Sequence, residues 1–366
     1  MSYKIYKRKR TPVLNICLAF ITGFSLLCGG MSVPVLADEG PIDQVTEAAA
    51  QGEEQPFILS NVVCWGDSLT KGDFGDGVTY PDVLSSFLPE YVNVVNASTT
   101  AGGENSITVV CRCGARNFVL DQDFAMPSPG EEAYISFCAD TGQWVNPIRR
   151  HPDRQWRVAI QDVWGTLRIV QEDPPDLQYT FTPDADQAFE AFTAEAGTPL
   201  YLEQYDEYVR YEDYYPIIYI GQNGGWDDTE DLISQQKAIL ERYGDGKHYL
   251  IVGFHYFIPD DRWMLENVYG EDYDNALAVL NEKRDSLDAA LQQEFGDRYV
   301  NVRQYMIQNG LESEGLTATE NDLALMAQGF VPESLRSDNV HFNAYGYEAL
   351  GRLIYQRMVD LGDVIP

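Results

Sequence analysis

The sequence predicts an α/β fold, a mostly parallel sheet covered by helices on both faces and interrupted by a β-rich insertion. Two observations carry this expectation. Apolar runs of strand length alternate with amphipathic stretches of helix length in both outer parts of the chain, as in a sheet buried on both faces. Between about residues 107 and 214 the pattern changes to short runs rich in Thr, Val, Tyr and Phe, broken by Gly and Pro, with no convincing helix before the end.

Taken in order, residues 1–37 read as an export signal: Lys4 and the basic cluster at 7–10, an apolar run over 13–28, and Val35-Leu36-Ala37 before a cut after Ala37. An uncleaved anchor is the alternative, the run being just short of the ~20 residues that span a bilayer. Residues 38–56, rich in Asp, Glu, Gln and Ala without periodicity, read as an acidic linker. A continuous apolar strand over 57–65 ends at Gly66-Asp67; a helix over 80–87, a strand over 91–96 and a small-residue loop over 97–106 follow. Strands over 217–220, 249–254 and 299–302 then alternate with helices over 229–243, 273–295 and 344–361. The α/β part is thus expected in two pieces, 57–110 and 214–366, around an insertion over 111–213. That length allows one enlarged domain or two.

With 25 basic and 57 acidic residues, the chain has a formal charge of −32. Nucleic acid and anionic membranes would be repelled, which excludes them as expected partners. After removal of the signal no stretch would insert stably in a membrane, and the expected location is secreted or at the cell surface. The sequence specifies no oligomeric state. Four cysteines follow the signal: Cys64, Cys111, Cys113 and Cys138. Export permits disulfides, and the expected bridge joins Cys111 or Cys113 to Cys138; four free thiols are the competing reading, because Cys64 falls in a buried strand. No metal site is expected. Cys111-Arg112-Cys113 lacks zinc spacing, and Asp227-Asp228 and Asp260-Asp261 lack the ligand spacing of a calcium loop.

Two segments carry chemistry. Gly66-Asp67-Ser68-Leu69-Thr70 follows directly on a buried strand, which places a serine at the carboxyl edge of the sheet, where open α/β folds bind ligands. Ser337-Asp338-Asn339-Val340-His341 puts a carboxylate three residues before a histidine, ahead of the last helix. In a turn, Asp338 can orient the imidazole while its other nitrogen faces a serine hydroxyl, and a histidine titrates near neutrality as a general base must. Asp338 could instead only cap the last helix, a role open equally to Asn343.

A serine in this first block and an Asp-x-x-His block late in the chain together resemble the SGNH (GDSL-type) hydrolases. The resemblance covers roughly residues 57–106 and 215–361 and implies a three-layer flavodoxin-like fold. It also implies two further blocks. Gly221-Gln222-Asn223 matches the third block, so Asn223 would offer its amide to an oxyanion. Gly103, with Gly102 a close rival, matches the glycine of the second. Gly224 stands where the family often has an acid, leaving the support of that loop open.

The resemblance then implies Ser68 as nucleophile, His341 as base and Asp338 as its orienting acid, with Ser68, Gly103 and Asn223 forming the oxyanion hole and no metal or organic cofactor. The expected substrate is an acylated glycan or other ester, short acyl groups on a carbohydrate or cell-envelope glycan leading. A lipase or lysophospholipase fits the same blocks, and a glycan-binding surface protein on a hydrolase-like scaffold is the reading of another class. His255, expected at the sheet rim, could touch substrate. His151 and His248 read as surface residues. The insertion's aromatics, among them Trp144, Trp156, Trp164 and the tyrosines from Tyr201 to Tyr215, are expected mainly in its own core, although the insertion springs from a loop bordering the site.

Overall fold

Continuous burial explains the central strands of the computed structural model, which describes residues 57–98, 102–149, 151, 153–172, 177–256, 258 and 273–365. The expected signal and linker, and Asp260-Asp261, lie outside the described residues. Five parallel strands form one sheet: β1 (Asn61–Gly66), β2 (Asn93–Asn96), β3 (Tyr215–Tyr219), β4 (Leu250–Val252) and β5 (Tyr299–Val300). Their spatial order is β2-β1-β3-β4-β5. The chain moves outward from β1 to β2, then returns to the other side of β1. Such a reversal opens a crevice beyond the carboxyl ends of the two central strands.

Alternate side chains of these strands enter two cores. Val63, Trp65, Ile218 and Ile251 face one, while Val62, Cys64, Ile217, Tyr219, Leu250 and Val252 face the other. Helices Tyr80–Phe87 and Ala344–Asp360 close the second face through Tyr80, Leu84, Leu350 and Ile354. Helices Ser106–Arg112, Thr229–Arg242 and Tyr273–Phe295 close the first through Ile107, Ile239 and Leu291. The Asp227-Asp228 pair serves the second of these, Asp228 capping it by accepting from the Asp231 N–H.

Within the insertion, seven short strands make one antiparallel sheet whose spatial order is Ala133–Ile135, Gln178–Pro183, Val163–Gln171, Gln155–Ile160, Pro199–Leu202, Phe118–Leu120, Phe137–Ala139. Its first and last members are separated in sequence by Ser136 alone, so the sheet curls until its two margins nearly meet. Strict alternation fills the interior: Val163, Gly165, Leu167 and Ile169 of the longest strand are buried and their neighbours are not. Phe118, Phe137, Trp156, Tyr179 and Phe181 complete that interior, which is continuous with the core on the first face of the parallel sheet. Trp65 meets Tyr208 edge-on at 5.0 Å, so the tyrosine run also packs on β1.

Two expectations are corrected. The stretch after residue 105 begins not as β-structure but as the wholly buried helix Ser106–Arg112, despite β-branched Ile107, Val109 and Val110. Asn105 starts it by accepting from the Thr108 N–H at 3.0 Å, and burial between sheet and barrel outweighs local propensity. The expected bridge from Cys111 or Cys113 to Cys138 is not formed; all four described cysteines are free thiols. The Cys111 and Cys113 thiols instead point at the carbonyls of Asn117 and Val110. A smaller difference is that β2 starts at Asn93, Tyr91 being 70 % exposed ahead of it.

Candidate active site

Ser68 opens a one-turn helix, Ser68–Lys71, directly after β1. Asp67 caps that turn, its Oδ1 accepting the Leu69 N–H at 2.9 Å. The chain therefore reverses within one residue of the strand end and leaves Ser68 at the crevice between β1 and β3.

His341 reaches the same point from 273 residues away, its Nε2 lying 3.1 Å from Ser68 Oγ. The other ring nitrogen, Nδ1, lies 3.0 Å from Asp338 Oδ2. A carboxylate only accepts, so Nδ1 carries the proton and Nε2 accepts from the serine hydroxyl. Burial pushes the Asp338 carboxyl up, but hydrogen bonds from the His341 ring and from the His341 and Val340 N–H groups hold it below its ordinary range. It is thus ionised when the imidazole needs it. Asp338 does not cap the last helix; Asn343 does, accepting from Gly346 N.

His255 follows β4 and lies just beneath this turn, buried, its ring tilted against that of Phe342 with centres 4.4 Å apart. Its Nε2 donates to the Val340 carbonyl, leaving Nδ1 to accept from the Tyr219 hydroxyl at 2.8 Å. Burial drives its pKa down to about 3, so the ring is neutral and supports the turn rather than facing solvent. Phe74, 60 % exposed, covers the outer side of His341 with ring centres 4.7 Å apart.

Opposite the histidine lies the turn before helix Ser106–Arg112. Gly103 has φ +72°, a region that favours glycine, and a Cβ there would stand 2.7 Å from Arg149 Nη1. Neither the Ser68 nor the Gly103 amide N–H donates to a backbone acceptor of another described residue. Asn223 lies beside both: its Nδ2 donates to Asp67 Oδ2 at 2.8 Å and to the Glu104 carbonyl at 3.1 Å. Both hydrogens of that amide are engaged, so it ties the two loops together, and an added oxyanion would have to share one of them.

Further residues hold this side, and two of them, Arg112 and Asn146, lie in none of the four blocks. Arg112 is wholly buried against Glu104, with Nε 3.0 Å from Oε1, and also donates to the carbonyls of Gly66 and Ala97 at the ends of β1 and β2. Asn146, from the insertion, donates to the Gly103 carbonyl at 2.8 Å and accepts from the Asn105 N–H and the Thr108 hydroxyl. Gly224 supplies the support its block left open, its carbonyl accepting the Ser106 N–H at 2.9 Å. Burial, with the Glu104 charge adding to it, raises Asp67 to about 7 against the hydrogen bonds from Leu69 and Asn223.

Of the insertion aromatics, Trp156, Tyr205 and Tyr211 are core, whereas Trp144 is 51 % exposed beside the clamp formed by Asn146. Among the described residues, no helix is long and apolar enough to cross a membrane. No family model matches the chain, and no curated protein matches it.

Proposed function

We propose that the chain is an exported serine esterase of the SGNH type, acting on short acyl esters of a carbohydrate or cell-envelope glycan. The observation that carries the reading is the hydrogen-bonded series Ser68 Oγ, His341 Nε2, His341 Nδ1 and Asp338, closed at 3.1 Å and 3.0 Å between residues from opposite ends of the described chain. A structural role for these polar groups would not require a serine hydroxyl in line with an oriented imidazole. The strand order β2-β1-β3-β4-β5, which is that of flavodoxin-like sheets, supports the family and sets the series at the switch point.

The chemistry follows from the geometry. Ser68 Oγ attacks the ester carbonyl as His341 Nε2 takes its proton, and Asp338 stabilises the imidazolium. The amide N–H groups of Ser68 and Gly103 receive the oxyanion, with Asn223 Nδ2 adjoining it. The imidazolium then gives its proton to the departing alkoxide, leaving an acyl-serine. Water attacks that ester by the reverse use of the same base, and the acid and free serine are released.

Purified mature protein should hydrolyse p-nitrophenyl acetate faster than the octanoate. Ser68→Ala, which removes one hydroxyl, should lose at least about a thousandfold in rate while melting at the wild-type temperature. A Ser68→Ala protein as active as wild type defeats the serine mechanism. Faster octanoate cleavage moves the substrate to lipids, and binding of glycans without cleavage of any ester makes the chain a lectin-like scaffold.

A further inference from the structure

An arginine without an acid, in a chain with 57 acidic residues, is the least expected feature beside the site. Arg149 belongs to the insertion and is 8 % exposed. Its Nε is fully buried without a hydrogen-bond partner, and among the described residues it forms no ion pair. Eight other arginines, at positions 112, 154, 157, 210, 242, 298, 303 and 352, each hold a carboxylate.

Its position is imposed. The preceding Ile148 is buried and held at φ +65°, a conformation that costs a β-branched residue ~1–3 kcal/mol and persists only where the surroundings over-determine it. Two residues earlier, Asn146 clamps the Gly103 carbonyl. The guanidinium is thereby laid against Gly103, with Nη1 2.7 Å from where a Cβ would stand. Tyr179 lies close enough for the guanidinium charge to act on its hydroxyl, yet that hydroxyl donates to the Pro147 carbonyl and forms no hydrogen bond with the arginine. Nε is shut off from solvent without a partner, a costly state, while Nη1 and Nη2 are not, which leaves the outer edge of the guanidinium open to an anion.

We propose that Arg149 recognises an anionic group on the ester substrate, and that the substrate is therefore an acylated acidic sugar whose carboxylate pairs with the guanidinium as the ester enters the site. This rests on the esterase reading and assigns the insertion its part in it: one short segment both braces the turn of Gly103 and selects the charge of the substrate. The acidity of the rest of the chain makes the site selective rather than generally attractive to anions.

The test compares O-acetylated methyl glucuronoside with O-acetylated methyl glucoside in the whole mature protein. The wild-type ratio of kcat/KM should favour the glucuronoside by about 10- to 100-fold, the worth of a charged hydrogen-bond pair, and should fall as salt is raised. Arg149→Met should bring the ratio to near one, mainly through KM. Arg149→Lys should keep part of it, and Arg168→Met, at an exposed arginine of the same barrel, should leave it as in wild type. A ratio near one in wild type, or one that Arg149→Met does not change, overturns the proposal.

Binding of the glucuronoside to Ser68→Ala, followed by calorimetry with and without Arg149→Met, separates the two readings because it needs no turnover. Arg149-dependent binding without ester cleavage by the wild type sustains the anion site and removes the esterase. Tighter binding of inorganic phosphate than of the glucuronoside overturns the acidic sugar.

Discussion

The two sides of the crevice are built in different ways. On the histidine side the partners are close in sequence: Asp338 and His341 are three residues apart, and the Asp338 side chain is 41 % exposed. On the glycine side Glu104, Asn105, Arg112 and Asn146 are buried and the partners come from afar, with Asn146 reaching Asn105 across 41 residues and Asn223 reaching Glu104 across 119. A short motif can carry an acid and a base, because one turn suffices to orient them. Donors for an oxyanion must be fixed in place before charge develops, and that requires a rigid surround.

Asp338→Asn strikes the locally built side. It removes the acceptor that selects the Nδ1–H tautomer, so kcat should fall by about a hundredfold to a thousandfold with little change in melting temperature. A loss below tenfold would mean that water replaces this carboxylate and that the side is looser than its geometry indicates. Asn146→Ala strikes the other. It leaves the Asn105 N–H and the Gly103 carbonyl without their buried partner, and should cost about 2–4 kcal/mol of stability and roughly tenfold to a hundredfold in kcat. Unchanged kinetics in a folded Asn146→Ala protein would show that the turn keeps its shape without the insertion.

The smallest effect concerns Asp67, between the two sides. Its carboxyl is raised in the folded protein to about 7, so the folded state holds this proton more tightly than the unfolded state. Its contribution is then present in full below the ordinary aspartate range and is lost as pH rises towards 7. Thermal melts from pH 4 to pH 8 should show this decline in wild type and a flatter profile in Asp67→Asn. Equal slopes would place the Asp67 proton elsewhere.

The same contrast governs what could be read in advance. Helix Tyr273–Phe295 has the expected bounds, and β1, β3 and helix Ala344–Asp360 lie within a few residues of theirs, because apolar runs and turn residues encode them locally. Ser68, Asp338 and His341 come together as their blocks suggest. Helix Ser106–Arg112 was not legible, since its β-branched composition argues for a strand and only tertiary burial makes it helical. Asn146 and Arg149 lie in no motif; a polar residue earns its place there through contacts with a turn some forty residues earlier. The free state of Cys111 and Cys113 follows from thiol directions inside a buried turn, which spacing does not encode.

The join at Ser136 has a consequence for how such a chain stays apart from its own copies. A β-sheet with open margins offers unpaired amides and carbonyls to any neighbouring copy and is a template for fibrils. Here the margin strands Ala133–Ile135 and Phe137–Ala139 follow one another in the chain, so a single residue acts as a seam that turns each exposed border towards the other. Lengthening that seam by a few flexible residues would free both borders while leaving the proposed catalytic residues untouched, and the cost would appear as self-association at high concentration.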